Sequence, residues 1–451
     1  MTVRLVSFFF RKRRCIAAKA AVSFHLPSLD RMLTRLALLG CFSAKLNAAV
    51  SPAAPVAVAP PPPYAVRLMS HTATPVLSKA NPVGAGHSDC LVFNPSVVHA
   101  NPPLFNRSGL LVRLCCGAAC TGHGARSAGV AGEARKTGEV TGEMIGWADC
   151  DLEQGTCSDV DKDFVFSRGT HTEDPRAVQY GDWVYLFYYD EGPARLQLPC
   201  KDTFPPNATT NAQCTVSLSR SQNPLDEASW RRISTLPWHR NGCCFVRPQG
   251  EQTFCMWGEG PGPFPGLGIS VTTDLAKGDF TQVQWKNASS TTPSPVTADG
   301  MWLLPLGSAL EEIKLEAGTH MHQLSSGDLI TFYAAATPGW VPNGNYTVGF
   351  LVLDGQDPTR IKQRSTAHVL VPTFDFETLC NGDPDCKYSG ERKNVIFSSS
   401  AMPAKGSGTA GPDDFRLFFG GGDGNVGTAV VRIEPANATA SSMLSLQQNA
   451  M

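Results

Sequence analysis

An all-β fold, a five-bladed β-propeller over residues 86–435, is the architecture predicted by the sequence. Three observations lead to it. First, the chain of 451 residues carries 42 glycines and 34 prolines, a composition of many turns and few long helices. Second, one strand shape recurs: "GLLVRLCCG" (109–117), "DWVYLFYYD" (182–190), "QTFCMWGEG" (252–260), "DLITFYAAA" (328–336) and "FRLFFGGGD" (415–423). Their spacing, roughly 70 to 90 residues, suits units of four strands. Third, turn signals separate these runs, among them Asp299-Gly300, Ser326-Gly327, Asp354-Gly355 and Asp423-Gly424. The same strands and turns would also build a pair of β-sandwiches. Helical signal is thin, with "SALEEIKLEAG" (308–318) reading as one short helix or a loop insert.

The flanks read differently. Residues 1–49 end in Arg31 and Arg35, an apolar run from Leu36 to Ala44, and Asn47-Ala48-Ala49, the pattern of a secretory signal peptide or a signal anchor. That run falls short of the roughly 20 residues of a membrane span. Residues 50–85, opening "SPAAPVAVAPPPPYAV", read as an extended Pro/Ala linker with no core of its own. Residues 436–451 read as a flexible tail. Secretion agrees with 15 cysteines, several in closable loops (Cys150 and Cys157, Cys200 and Cys214, Cys380 and Cys386). It agrees also with N-glycosylation triplets at Asn106, Asn207, Asn287, Asn345 and Asn437. No zinc-type spacing is matched by a second pair, so no metal is assigned. A net charge of −1 and the lack of a basic stripe exclude nucleic acid as the expected partner. Oligomeric state is left open.

The most informative stretch is "HTEDPRAVQYGDWVYLFYYD" (171–190), which sets Glu173, Asp174 and Arg176 at the mouth of a buried strand. Strand alternation puts Asp174 and Arg176 on one side and Glu173 on the other. Pro175 is expected to hold Asp174 extended. In a propeller the innermost strands line one axial channel, so polar residues there converge on a ligand. The plainer reading is an ion pair closing a strand entrance.

In order along the chain stand "NPSVV" (94–98), "EDPRAV" (173–178), "HRNGCCF" (239–245), "YTVGFLVLDGQDPTRI" (346–361), "VLVPTFDFE" (369–377), "KNVIFSS" (393–399) and "FFGGGDGNVGTAVV" (418–431). This series resembles the five-bladed propellers of glycoside hydrolase family 130, the β-mannoside phosphorylases and hydrolases. The resemblance implies an inverting mechanism in which Asp174 is the general acid. It implies that Asn94 and Asp423 hold the mannose, that Arg113 matches the first-blade arginine, and that Arg240 and Asn241 match the pair beside phosphate. Arg176, Tyr333 and Tyr346 join them as substrate-contact candidates. An acid working near neutrality needs a raised pKa, so Arg176 is expected to pair away from Asp174 or to bind sugar.

Two departures bear on the nucleophile. Glu259 stands near the place of a basic residue, and Tyr333 replaces a histidine of the phosphorylases. A carboxylate there repels phosphate and can activate water. Hydrolysis of a β-mannoside oligosaccharide or glycan, with Asp174 as acid and Glu259 as base, is therefore favoured over release of mannose 1-phosphate. No cofactor is expected, and inorganic phosphate is a co-substrate only in the phosphorylase reading. A non-catalytic carbohydrate-binding propeller and a glycosidase of the arabinanase or fructosidase kind are the rival readings. His171 and His239 receive no catalytic role, and "GGGDGNVG" (420–427) lacks the helix a nucleotide site needs.

Overall fold

In a computed structural model of the chain, the described residues are 63–436 apart from 79–89, 117–141, 167–171, 191–201, 204–215, 237, 239, 249–250, 259–265, 288–303, 305, 307–309, 311, 339–344, 383–384 and 406–410. The expected signal segment (1–49), Cys200, Cys214, Asn207, Asn437, His171, His239, Glu259 and nearly all of the expected 436–451 tail lie outside them. The compact unit begins at Pro61.

Two strands, β1 (Tyr64–His71) and β2 (Leu77–Ser78), precede the first blade. That blade is β3 (Leu91–Val98), β4 (Gly109–Cys116), β5 (Gly142–Asp151) and β6 (Thr156–Phe166), paired in that order. The second blade opens with β7 (Thr172–Tyr180) and β8 (Trp183–Asp190). After β9 (Asp202–Thr203), which pairs into the third sheet, it is completed by β10 (Val216–Ser221) and β11 (Arg231–Leu236). The third is β12 (Cys243–Phe245), β13 (Thr253–Trp257), β14 (Gly268–Thr272) and β15 (Phe280–Val283). The fourth joins β16 (Lys286–Asn287), β17 (Lys314–Ala317), β18 (His322–Gln323), β19 (Leu329–Ala336), β20 (Tyr346–Leu353) and β21 (Arg360–Arg364). The fifth holds β22 (Ile396–Pro403), β23 (Asp414–Gly421) and β24 (Asn425–Pro435), with β1 as its outermost strand.

The recurrent apolar runs are the second strands β4, β8, β13, β19 and β23. They are apolar on both faces because each blade packs against two neighbours. In β4, Leu110, Val112 and Leu114 meet Phe418 and Val426 of the fifth blade, while Leu111 meets Leu186 and Tyr188 of the second. Further cores join the second and third blades (Phe187, Trp238, Trp257), the third and fourth (Met256, Ile269, Leu351), and the fourth and fifth (Phe332, Phe350, Phe419). Five interfaces for five blades close the ring, and the chain is a five-bladed β-propeller.

Two expectations are corrected. The expected 50–85 linker contains β1, whose backbone pairs with β24 from Tyr64 opposite Pro435 to His71 opposite Ala429. Leu77 of β2 is buried in the core between the fifth and first blades. The outer edge strand shows no period-two apolar stripe, because Leu68 and Met69 lie exposed; its stability comes from the ladder and from its ends. The Tyr64 hydroxyl donates to Asp328 at 2.6 Å, and His71 Nε2 lies 2.6 Å from the buried Glu377 carboxylate. The segment 308–318 contains no helix in its described residues. Lys314–Ala317 is the innermost strand of the fourth blade, with Leu315 and Ala317 in the inter-blade core and Lys314 paired to Glu316 at 2.6 Å. The two charges hid the alternation.

The pairs Cys150–Cys157 and Cys380–Cys386 are disulfides, joined by Cys90–Cys116 and Cys244–Cys255. Among the described residues Cys243 is the free cysteine, and it is buried.

The edge strand makes a prediction about boundaries. A chain starting at residue 61 should melt like the full protein. One starting at residue 86 should melt lower by at least about 10 °C or aggregate, since an unpaired β24 and an emptied Leu77 site cost several kcal/mol. Equal melting temperatures by calorimetry would refute the assignment of β1 as part of the fold.

Candidate active site

Asn94, Asp174, Asn241 and Asp423, from three blades and the approach to another, share one backbone peculiarity: φ of 47°, 52°, 55° and 46°. Asn and Asp tolerate this left-handed region better than other non-glycine residues, at modest strain. In β3 the register with β4 shifts between Phe93 and Ser96, and in β7 that with β8 shifts between Glu173 and Arg176. Each shift is a bulge at a residue followed by proline. Asp174 is thus left-handed rather than extended, which corrects the reading of Pro175. The bulge also breaks the expected alternation, and Glu173 and Asp174 meet the same two arginines.

Those contacts form a knot. Asp174 Oδ1 accepts from Asn94 Nδ2 at 2.7 Å and from Arg113 Nη1 at 3.1 Å, and Oδ2 accepts from Arg240 Nη1 at 2.8 Å. Glu173 Oε2 lies 3.1 Å from Arg113 Nη2 and 3.0 Å from Arg240 Nη1. Arg113 is also paired with Glu143 of β5. The guanidiniums are backed by aromatic rings, Arg113 over Phe93 at 4.7 Å and Arg240 over Tyr189 at 4.3 Å. Asn94 fits because Gly420 of the fifth blade has no side chain; a Cβ there would meet Asn94 Oδ1 at 2.4 Å. The glycine-rich stretch at 420–427 is a close approach of backbones rather than a nucleotide loop.

Electrostatics divide the pair. Burial pushes the Asp174 carboxyl up, but Arg113, Arg240 and Arg176 with the Asn94 hydrogen bond outweigh it and hold it below its ordinary value. This reverses the raised pKa expected of it. Glu173 is pushed well up, by burial first, with Arg113 opposing and the neighbouring Glu143 adding to the rise.

Asp423 lies beside the knot, 3.8 Å from Arg392 Nε. Burial lifts its carboxyl to about 6, against Arg392 and Arg113, with Asp174 and Glu316 adding to the rise. Glu391, whose N–H donates to the Asp423 carbonyl at 3.2 Å, is lifted by burial to about 7. The Tyr346 hydroxyl donates to Glu316 at 2.5 Å and its ring lies 5.4 Å from Lys314 Nζ. Asn241 is buried with neither amide atom hydrogen-bonded among the described residues, and Asn94 Oδ1 is likewise unpartnered.

Asn94, Arg113, Asp174 and Arg240 therefore converge in direct contact, with Asp423 adjacent. Arg176 does not join them: wholly buried, it donates to the Pro175 carbonyl at 2.9 Å and lies over Phe397 at 5.5 Å. Tyr333 is sealed in the core between the third and fourth blades, its hydroxyl donating to Glu312 at 2.7 Å; burial lifts it to about 12. That core position gives it no opening toward the knot. Glu259 lies outside the described residues. Sequence reasoning missed Glu143, Glu391 and the Lys314–Glu316 pair.

Raised carboxyls make stability depend on pH. Asp423 moves from 3.8 to about 6, so its contribution is full below its unfolded value and is lost as pH rises through about 6. Asp423→Asn should therefore gain about 2–3 kcal/mol relative to the parent between pH 4 and 7.5, read by denaturant unfolding. Parallel pH curves for the two proteins would contradict the burial of this carboxyl.

Solved propellers resemble this fold at low identity. A glycosyl hydrolase from Bacteroides ovatus is 17% identical, with TM-score 0.52, covering 80% of this chain and 91% of its own. The β-1,2-mannobiose phosphorylase from Listeria innocua is 14% identical, with TM-score 0.53, covering 80% and 96%. A third, at 17% identity and TM-score 0.53, covers 81% and 94%. It was described with the finding that the mannoside phosphorylases of this family include hydrolases targeting β-1,2 mannosidic linkages in Candida mannan. No curated protein matches the chain. The family model described as β-1,4-mannooligosaccharide phosphorylase matches residues 156–435, more than half of the sequence, and by that match the chain belongs to glycoside hydrolase family 130.

Proposed function

We propose that the protein is an inverting glycoside hydrolase acting on β-mannosides, with Asp174 as the general acid and water as the nucleophile. The observation that carries this reading is the saturation of the cations. Arg113 faces Glu143, Glu173 and Asp174, and Arg240 faces Glu173 and Asp174. Lys314 is paired with Glu316. A phosphate dianion would have to displace these carboxylates and approach Glu391 and Asp423, which repel it. A neutral sugar meets no such penalty. The unpartnered Asn241 amide and Asn94 Oδ1 are hydrogen-bonding capacity of the kind pyranose hydroxyls fill.

The acid must be protonated when it acts. In the free protein the surroundings favour the protonated form of Glu173 over that of Asp174. A sugar hydroxyl that takes over the arginine contacts of Asp174 weakens the pull on its carboxyl, and Asp174 then takes up the proton that it donates toward the leaving oxygen. The sequence nominates Glu259 as the base. Four disulfides among the described residues and the exposed Asn106 of a glycosylation triplet support the reading of a secreted protein. Asn345 is partly buried, with its amide donating to Pro338 at 3.0 Å, so it is the less accessible acceptor. Among the described residues no helix is long and apolar enough to cross a membrane.

A product assay on β-mannooligosaccharides tests the proposal. Free mannose should appear at the same rate with and without phosphate. Mannose 1-phosphate formed only in phosphate buffer, with no free sugar otherwise, would replace hydrolysis by phosphorolysis. Asp174→Asn should lower kcat by about 100-fold or more while ligand binding changes little. Binding of mannosides with no turnover under either condition would instead favour a carbohydrate-binding propeller.

A further inference from the structure

Arg176 stands apart from the other cations of the site. Arg113, Arg240, Lys314 and Arg392 each face a carboxylate. Arg176 is wholly buried, yet among the described residues it has no carboxylate within ion-pair distance, and its Nε and Nη2 have no hydrogen-bond acceptor. The groups around it come from the inner strands of other blades. Its guanidinium lies over Phe397 of β22 at 5.5 Å and within hydrogen-bonding reach of the Cys243 thiol of β12, and its charge acts on His320, just after β17. None of them supplies a negative charge. Burial pushes the Cys243 thiol up to about 11, against Arg176, and pushes His320 down to about 3, so both are neutral at pH 7. A buried guanidinium is costly unless a nearby charge answers it. Here the answering charge is the negative excess of the knot, two residues back along the same strand.

The same side chain closes the bulge. The register of β7 with β8 shifts between Glu173 and Arg176, which leaves Asp174 and Pro175 out of the ladder, and Asp174 is left-handed at φ 52°. Arg176 Nη1 folds back and donates to the Pro175 carbonyl at 2.9 Å. The next N–H, that of Ala177, donates to Ser96 Oγ of the first blade at 2.6 Å. Pinned by its own guanidinium and by the neighbouring blade, the bulge delivers the Asp174 carboxyl to Asn94, Arg113 and Arg240. From this geometry we infer that Arg176 is the positioning residue of the acid: it locks the turn that aims the Asp174 carboxyl and sets a permanent positive charge behind it.

The role rests on the reading of Asp174 as general acid, and it is the same whether water or phosphate attacks. Asp174 is faced by Asn94 on β3, Arg113 on β4, Glu173 beside it on β7, Arg240 ahead of β12 and Asp423 on the β23–β24 turn. Burial pushes its carboxyl up, and Arg113, Arg240 and Arg176 together pull it below its ordinary value. Removing the third of these charges lets the acid keep its proton to higher pH. The descending limb of kcat/KM, which reports the loss of that proton, then moves up as well. Loosening the turn acts on the rate, since misplacing a catalytic group by about 1 Å costs on the order of 100-fold.

The test uses the full chain and a β-mannooligosaccharide, with and without phosphate. Arg176→Met should lower kcat about 10- to 100-fold with KM changed less than about threefold, and should move the descending limb of kcat/KM to higher pH. Arg176→Lys keeps the charge, so its limb should stay in place and its kcat should lie at least about threefold above that of Arg176→Met. In an Asp174→Asn background Arg176→Met should cost less than about threefold more, because the group it positions is already gone. A kcat within about threefold of the parent, a loss confined to KM, an unmoved limb, or losses that multiply in the double variant would overturn the assignment and leave Arg176 a packing residue. Where Arg176→Met does not fold, Arg176→Lys decides: a lowered kcat at unchanged KM supports the role, and a parent-like kcat overturns it. If the parent turns over no mannoside, or Asp174→Asn is as active as the parent, the acid reading fails and its positioning residue falls with it. A parent that needs Asp174 beside an unimpaired Arg176→Met sinks Arg176 alone.

Discussion

The constraint on which this molecule turns is an imbalance of charge in a buried place. Glu143, Glu173, Asp174, Glu391 and Asp423 gather around Arg113 and Arg240. Full ionisation of all five would leave uncompensated negative charge out of reach of bulk water, which costs several kcal/mol per group. Protons are therefore held to higher pH than carboxyls usually allow, with Glu173 and Glu391 raised most clearly and Asp423 to about 6. A site obliged to store protons is already equipped for acid–base chemistry. The arginines shape how that store is divided, lowering the pKa of Asp174 while that of its neighbour in sequence is raised.

The ring makes this gathering possible. Asn94 enters from the first blade, Glu173 and Asp174 from the second, Arg240 and Asn241 from the approach to the third, Lys314 and Glu316 from the fourth, and Asp423 from the turn of the fifth. Each sits at or beside an innermost strand or a turn next to one. Local backbone strain at four of them is offset by the inter-blade cores, which keep positions separated by hundreds of residues in register. Rigid strands rather than long loops carry the polar groups, as precise placement requires.

Much of the architecture was legible in the sequence because it is written in apolar runs. The second strand of every blade is buried on both sides, so β4 and β19 read as near-continuous hydrophobic segments. The innermost strands are harder, since one side faces polar neighbours at the axis. In β17 two opposite charges neutralise each other and look like solvated surface. The edge strand β1 is harder still: it contributes hydrogen bonds more than buried area, and no periodicity betrays it. At the site, Asn94, Asp174 and Arg240 could be named from motif order. The bulge that turns Glu173 inward could not, because alternation is the only rule available before coordinates. Glu391 gave no signal, as a loop carboxylate acquires meaning only from what folds around it. Tyr333 shows the converse, a residue matched by order along the chain that lies in a packed core.

The pairing of β1 with β24 has a consequence for biogenesis. The disulfides Cys90–Cys116, Cys150–Cys157, Cys244–Cys255 and Cys380–Cys386 each lie within one blade or one loop, so none of these four latches the ring. During synthesis Tyr64 leaves the ribosome long before Pro435, the residue it faces in the finished sheet. The early segment must wait, unpaired and open to proteases or to a foreign strand, until the last blade emerges. Completion of the circle thus waits for the last strand to be made, and any leader peptidase must cut upstream of Tyr64 to leave the seam intact.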